Sequence, residues 1–164
     1  MSKKKLSHVT RDGRARMVDV TAKPETERFA RAAGCIRMNA EAYSAIERNS
    51  LAKGDVVSVA KVAGVMAAKR TAELVPLSHP IPLSDVKLEL ILDASLPGLR
   101  AESVVRTTAK TGVEMEAITA VAVALITVYD MAKSIDKSMQ INGIELLEKA
   151  GGRSGHWRRI GGST

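Results

Sequence analysis

GVEMEAITAVAVALITVYDMAKSIDK, residues 112–137, admits two readings. Val121, Val123 and Leu125 alternate with alanines, the period of a strand with one wet face. Yet no glycine or proline interrupts residues 115–134, and alanine, the strongest helix former, recurs throughout. Length decides: the stretch predicts one long helix, buried on most sides. A long buried helix needs a sheet or other helices to cover it, so its neighbours set the fold class.

Upstream, RFARAAGCIRMN (28–39) places Ala30, Ala32, Gly34, Ile36 and Met38 on one parity and Arg31 and Arg37 on the other. That is a strand with one solvated face. Asn39 is a helix cap, with Ala42, Tyr43 and Ile46 at helical spacing behind it. NSLAKGD breaks that helix, and Asp55 caps a second one running through VVSVAKVAGVMAAKRTAEL (56–74). Pro76, Pro80 and Pro82 end it. DVKLELIL, with Val86, Leu88, Leu90 and Leu92 on one face, the turn DASLPG and LRAESVVRTTAK read as a hairpin. SMQINGIELLEKA (138–150) is a last strand, and GGRSGHWRRIGGST (151–164) a glycine-rich tail. The order βαββαβ with one extra helix predicts an α+β, ferredoxin-like sandwich: a mainly antiparallel sheet with helices packed on one face. A single catalytic domain over 1–164 is expected, with 1–16 and 151–164 as flexible ends.

The chain has 164 residues, 45% of them hydrophobic but only 2% aromatic, so its core must be aliphatic. A net charge of +7 and a pI near 9.8 favour anionic partners, although SKKK and RSGHWRR place part of that charge near the ends. One cysteine, Cys35, excludes an internal disulfide and a cysteine-built zinc site. No apolar leader opens the chain, and the longest charge-free apolar run, 117–129, falls short of the roughly 20 residues that span a bilayer. The expectation is a cytoplasmic protein with no membrane partner.

Four groups of residues can carry chemistry. His79 stands among three prolines in VPLSHPIPL, a loop whose ordering costs less entropy than usual. A pre-ordered imidazole suits proton transfer or a phosphate contact. Glu114 and Glu116 open the long helix; they either complement its dipole or form an acid/base or orienting pair. Asp130 and Lys133 are neighbours three apart, with Lys137 following on the same face. Asp130 arrives directly after the apolar run, which predicts partial burial with Lys133 keeping it ionised. Lys53 and Lys149 adjoin glycine-containing turns, solvated or phosphate-binding. Glu116 and Asp130 lie roughly 21 Å apart along a continuous helix. If both serve one site, a second subunit supplies one of them.

KGDV (53–56), AAKRT (67–71), PLSHPIPLS (76–84), KTGVEMEAITA (110–120), TVYDMAK (127–133) and LLEKAGGRSG (146–155) together closely resemble one family. It is the cyclic pyranopterin monophosphate synthase (MoaC) family of molybdenum cofactor biosynthesis, and the resemblance spans residues 17–155. It implies a ferredoxin-like fold, a hexamer built as a trimer of dimers, and active sites at the dimer interface. It implies conversion of 3',8-cyclo-7,8-dihydro-GTP, a cyclised GTP, to cyclic pyranopterin monophosphate with release of pyrophosphate. It further implies catalytic or substrate-contacting roles for Lys53, His79, Glu114, Glu116, Asp130, Lys133 and Lys149, with Leu77, Ser78, His79, Met115 and Glu116 in substrate-binding segments. Members often carry cysteine where Ser78 and Ala132 stand here, which tells against a thiol role. No cofactor is implied; a divalent cation such as Mg²⁺ would come with the triphosphate.

Such a substrate needs cations for its phosphates, for which Lys53 and Lys149 are candidates. It needs several acids and bases for its ring rearrangement. The expected division gives Asp130 and Lys133 the ring protons, His79 the phosphate or sugar end, and the glutamate pair the base. The tail from Gly151 is either a lid over the phosphates or simply disordered. An RNA-binding ferredoxin-like module is the alternative, but no strand carries the aromatic pattern used for base stacking. A metal hydrolase built on His79 and the acids lacks any H-E-x-x-H spacing.

Overall fold

The structure is a computed structural model that describes residues 14–153 and 155–160. Its elements are β1 (Thr26–Arg37), α1 (Ala40–Glu47), α2 (Val56–Lys69), α3 (Thr71–Leu74), β2 (Asp85–Asp93), β3 (Gly98–Ala109), α4 (Glu114–Ala132), β4 (Gln140–Ala150) and β5 (Trp157–Arg158). The strands form one sheet, β2-β3-β1-β4-β5, with every pairing antiparallel. This is the ferredoxin-like α+β arrangement the element order predicts.

The ambiguous stretch is α4. Along it Ala117, Ala120, Val121, Ala124, Leu125 and Val128 are fully buried, at the three- and four-residue spacing of one helix face. The helix packs on β1, β3 and β4 and crosses α2. Its alanines, which mimic strand alternation in the sequence, let that crossing be close. A Cβ built on Gly64 of α2 would lie 2.6 Å from the Ala120 carbonyl oxygen and 2.3 Å from Leu88. Among the described residues α4 is the one helix long and apolar enough to cross a membrane, but here it is the central helix of the core. Ser103 Oγ on β3 donates to the Ala117 carbonyl at 2.8 Å and ties the helix start to the sheet.

Local signals set the other helices. Asn39 and Asp55 cap α1 and α2, each side chain accepting from the backbone N–H three residues on. The second helix is shorter than its sequence suggests. It ends at Lys69, and Arg70 separates it from the single turn α3, whose buried Thr71 hydroxyl bonds back to the Ala67 and Ala68 carbonyls. Such back-bonding competes with the helical pattern. Within the glycine-rich tail, residues 157–159 are tied back to the sheet. Trp157 and Arg158 pair with Lys149 and Glu148 of β4, and Arg159 bonds Glu145 at 3.1 Å. Residues 1–13, including the basic SKKK, lie outside the described residues.

Candidate active site

Residues 75–84 are anchored at both ends. Ser78 N–H donates to the Val75 carbonyl (2.9 Å) and Ser84 N–H to Arg106 (3.0 Å). Thr107 Oγ1 donates to the Pro82 carbonyl at 2.6 Å. The prolines and these bonds hold Leu77, Ser78 and His79 against the start of α4, where all three line a cavity of about 1040 Å³ with Glu114, Met115, Glu116 and Lys149. The His79 Nε2–H donates to the Val18 carbonyl at 2.8 Å, so Nδ1 is the nitrogen left for proton transfer. Val18 and Val20 form part of the same wall.

The two glutamates differ, and a shared dipole role does not describe both. Glu114 is partly exposed and paired with Lys149, Nζ to Oε1 2.7 Å. Glu116 is 3% exposed. Burial pushes its carboxyl up to about 7, with the nearby Glu114 charge adding to the rise; its own backbone amide and the Ser78 side chain act against it. A carboxyl with that affinity is part acid and part base at neutral pH, the range a proton-transfer group needs. It also lines a smaller hollow of about 360 Å³ together with His79 and Pro82.

Asp130, Lys133 and Lys53 form a second cluster at the other end of α4. Lys133 Nζ is 2.7 Å from Asp130 Oδ1, and Lys53 Nζ is 2.8 Å from Oδ2. Lys53 also donates to the Asp130 carbonyl at 2.9 Å, satisfying an acceptor in the last helical turn. The sequence suggests a partly buried aspartate. The structure corrects this: its side chain is 55% exposed, on the solvent face of the last turn of α4, while Met131 and Ala132 beside it are buried. Its low proton affinity, about 2, comes first from the Lys133 and Lys53 hydrogen bonds and then from their charges. Lys133 is correspondingly raised. Lys137 lies beyond the helix end at Ala132; its carbonyl accepts from the Tyr129 hydroxyl at 3.0 Å, and it lines a hollow of about 380 Å³ with Lys53, Asp130 and Lys133.

The chain therefore gathers His79, Glu114, Glu116 and Lys149 in one place and Lys53, Asp130 and Lys133 in another. The cavity also recruits residues that sequence reading passed over: Lys23, Arg28, Lys110 and Arg153. Only strand pairing brings Arg28 of β1 beside the end of β3, so no local pattern announces it. Among the described residues, no group of three or more His, Cys, Asp or Glu could hold a metal ion. Phe29 is the one aromatic on β1–β4, and Arg106 lies over its ring at 4.8 Å. That is a poor stacking platform for RNA.

Residues 17–152 match the MoaC family. The chain is 54% identical over 154 residues to a cyclic pyranopterin monophosphate synthase of Thermomicrobium roseum, covering 94% of this chain and 93% of that protein. Proteins of the same name from Cereibacter sphaeroides and Trichodesmium erythraeum are 52% and 53% identical; each match covers 93% of this chain and, respectively, 96% and 92% of the relative.

Proposed function

The chain belongs to the MoaC family, and we propose that it acts as a cyclic pyranopterin monophosphate synthase in molybdenum cofactor formation. Its substrate is the cyclised GTP, and its products are cyclic pyranopterin monophosphate and pyrophosphate. The observation that carries this reading is the cavity itself. It sets a buried carboxyl poised near neutrality, Glu116, among the cations Lys23, Arg28, Lys110 and Lys149. A purine-derived ring with N–H donors suits the former, and a triphosphate suits the latter.

In this reading Glu114 and Glu116 orient the base, a carboxylate accepting from ring and exocyclic N–H groups. Leu77, Ser78 and Met115 line the wall beside it. Asp130, Lys133 and Lys53 move protons as the five-membered ring opens and a pyrazine closes. The shared carboxylate fixes both ammonium groups and raises the proton affinity of Lys133 until a substrate group competes for its proton. His79, with Nε2 committed to Val18, works at the sugar or phosphate end through Nδ1. In the last step a base at that end takes the hydroxyl proton, the freed oxygen bonds to the α-phosphorus and the bond from that phosphorus to the α–β bridging oxygen breaks. The electron pair leaves on pyrophosphate, and cations stabilise the departing charge.

The two clusters stand at opposite ends of a 19-residue helix. One site can use both only if a second copy supplies one of them. This separation supports a homo-oligomer with sites at the dimer interface, and the hexamer, a trimer of dimers, is what the family resemblance implies. The protein works as a single catalytic domain in a cytoplasmic, reducing compartment, which fits the lone free thiol, Cys35. A divalent ion that takes part arrives with the triphosphate, and an assay with and without chelator decides it. The deciding experiment is incubation with the cyclised GTP while following pyrophosphate release, wild type against Asp130→Ala. Absence of release by the wild type sinks the proposal.

A further inference from the structure

We propose that Gly112 is a positioning residue of this cavity: the space its missing side chain leaves open is where the Glu114 carboxylate lies, and that seat holds Glu114 against Lys149. The inference goes beyond the function proposed above and draws on it only where KM is read.

Backbone conformation does not call for glycine at 112. Among the described residues, positive φ belongs to Gly54, Gly143, Gly151, Gly152 and Gly155, and not to Gly112. Space does call for it. A Cβ built on Gly112 would overlap Glu114 Oε2 and lie 2.7 Å from Cδ and 2.9 Å from Oε1. The carboxylate is therefore folded back over the main chain that precedes its own helix. That main chain is held on its far side. Val113 is fully buried, and its carbonyl accepts from the Ala117 N–H at 3.1 Å, within the first turn of α4. A methyl group at 112 would displace the flexible end of Glu114 and not the backbone.

Two things depend on the seat. From it Glu114 accepts from Lys149 Nζ at 2.7 Å, a pair in which each side chain is 28% exposed. It also sets the charge beside Glu116. The charged and titratable groups around Glu116 are Glu114 on its own helix, His79 on the proline loop, Lys149 on β4, and Lys69, Arg70 and Glu73 around the smaller hollow. Of these, Glu114 is the one whose charge raises the proton affinity of Glu116. Moving that carboxylate out to solvent weakens the push and leaves Lys149 without its counter-charge.

The test uses the full chain and follows the Glu116 carboxyl carbon resonance through pH in wild type, Gly112→Ala, Glu114→Ala and the double variant. Gly112→Ala should melt close to wild type and lower the Glu116 midpoint by about half a pH unit, in the same direction as Glu114→Ala. It should add nothing in the Glu114→Ala background, whereas general strain would act in both backgrounds alike. With the cyclised GTP, Gly112→Ala should raise KM about tenfold, the loss of one charge-assisted hydrogen bond, and change kcat less. An unchanged midpoint, an equal shift in both backgrounds, an unchanged KM in an enzyme that turns over, or a Gly112→Ala chain that fails to fold overturns the positioning role. A wild type that releases no pyrophosphate sinks the function proposed above and leaves the midpoint reading standing.

Discussion

Glu116→Gln should make the protein more stable at alkaline pH and no more stable at acid pH. Glutamine has the shape of a protonated glutamic acid and cannot ionise. In the folded protein the Glu116 carboxyl titrates near 7, against an ordinary value of 4.5. Below 4.5 both folded and unfolded chains carry it neutral, so wild type and variant agree. Between 4.5 and 7 the unfolded chain gives up the proton while the folded one keeps it, so wild-type stability falls as pH rises. Above 7 the penalty is complete. At about 1.4 kcal/mol per pH unit the shift amounts to about 3 kcal/mol, an upper figure because local rearrangement relieves part of it. For a chain of this size that corresponds to a melting temperature higher by about 5–10 °C in the variant. Urea unfolding of both proteins at fixed concentration, from pH 4 to 8.5, measures the gap. Carboxyl carbon resonances give the midpoint directly. A gap of constant size across that range, or a midpoint near 4.5, refutes the reasoning. Lys149→Met sharpens the case. It leaves the Glu114 charge without its partner beside Glu116, so the Glu116 midpoint should move further up.

Three other outcomes are expected. Asp130→Asn removes the carboxylate that Lys53 and Lys133 share, and the exposed cluster contributes little to folding, so the melting temperature should hold while turnover drops about 100-fold or more. If each site takes one cluster from each of two subunits, mixing inactive Lys133→Ala with inactive Lys149→Ala should restore about a quarter of wild-type activity, because about half of all dimers are then mixed and each mixed dimer regains one intact site of its two; no recovery after subunit exchange places both clusters in separate roles. Gly64→Ala drives a methyl group toward the Ala120 carbonyl, which cannot move without shifting α4, so it should destabilise by about 1–2 kcal/mol after its gain in helix propensity, measurable by urea unfolding.

Much of the fold is legible in local chemistry. Asn39 and Asp55 cap their helices through bonds that span three residues, and the hairpin of β2 and β3 follows from alternation around a turn. The length of α4, free of glycine and proline, outweighs its strand-like alternation because backbone propensity accumulates residue by residue. The same locality marks His79, Glu114, Glu116, Asp130 and Lys133 as chemically unusual. It cannot say which of them meet. Solvent exposure belongs to packing: Asp130 and Glu116 lie on one helix, yet one is 55% exposed and the other 3%. Glu116 owes its proton affinity first to burial in the closed fold and then to the Glu114 charge beside it. Arg28 enters the cavity only because antiparallel register sets it at the end of β3, about 80 residues further along the chain. Short-range stereochemistry writes itself into neighbouring residues, whereas burial and charge pairing are properties of surfaces that touch only after the chain has closed on itself.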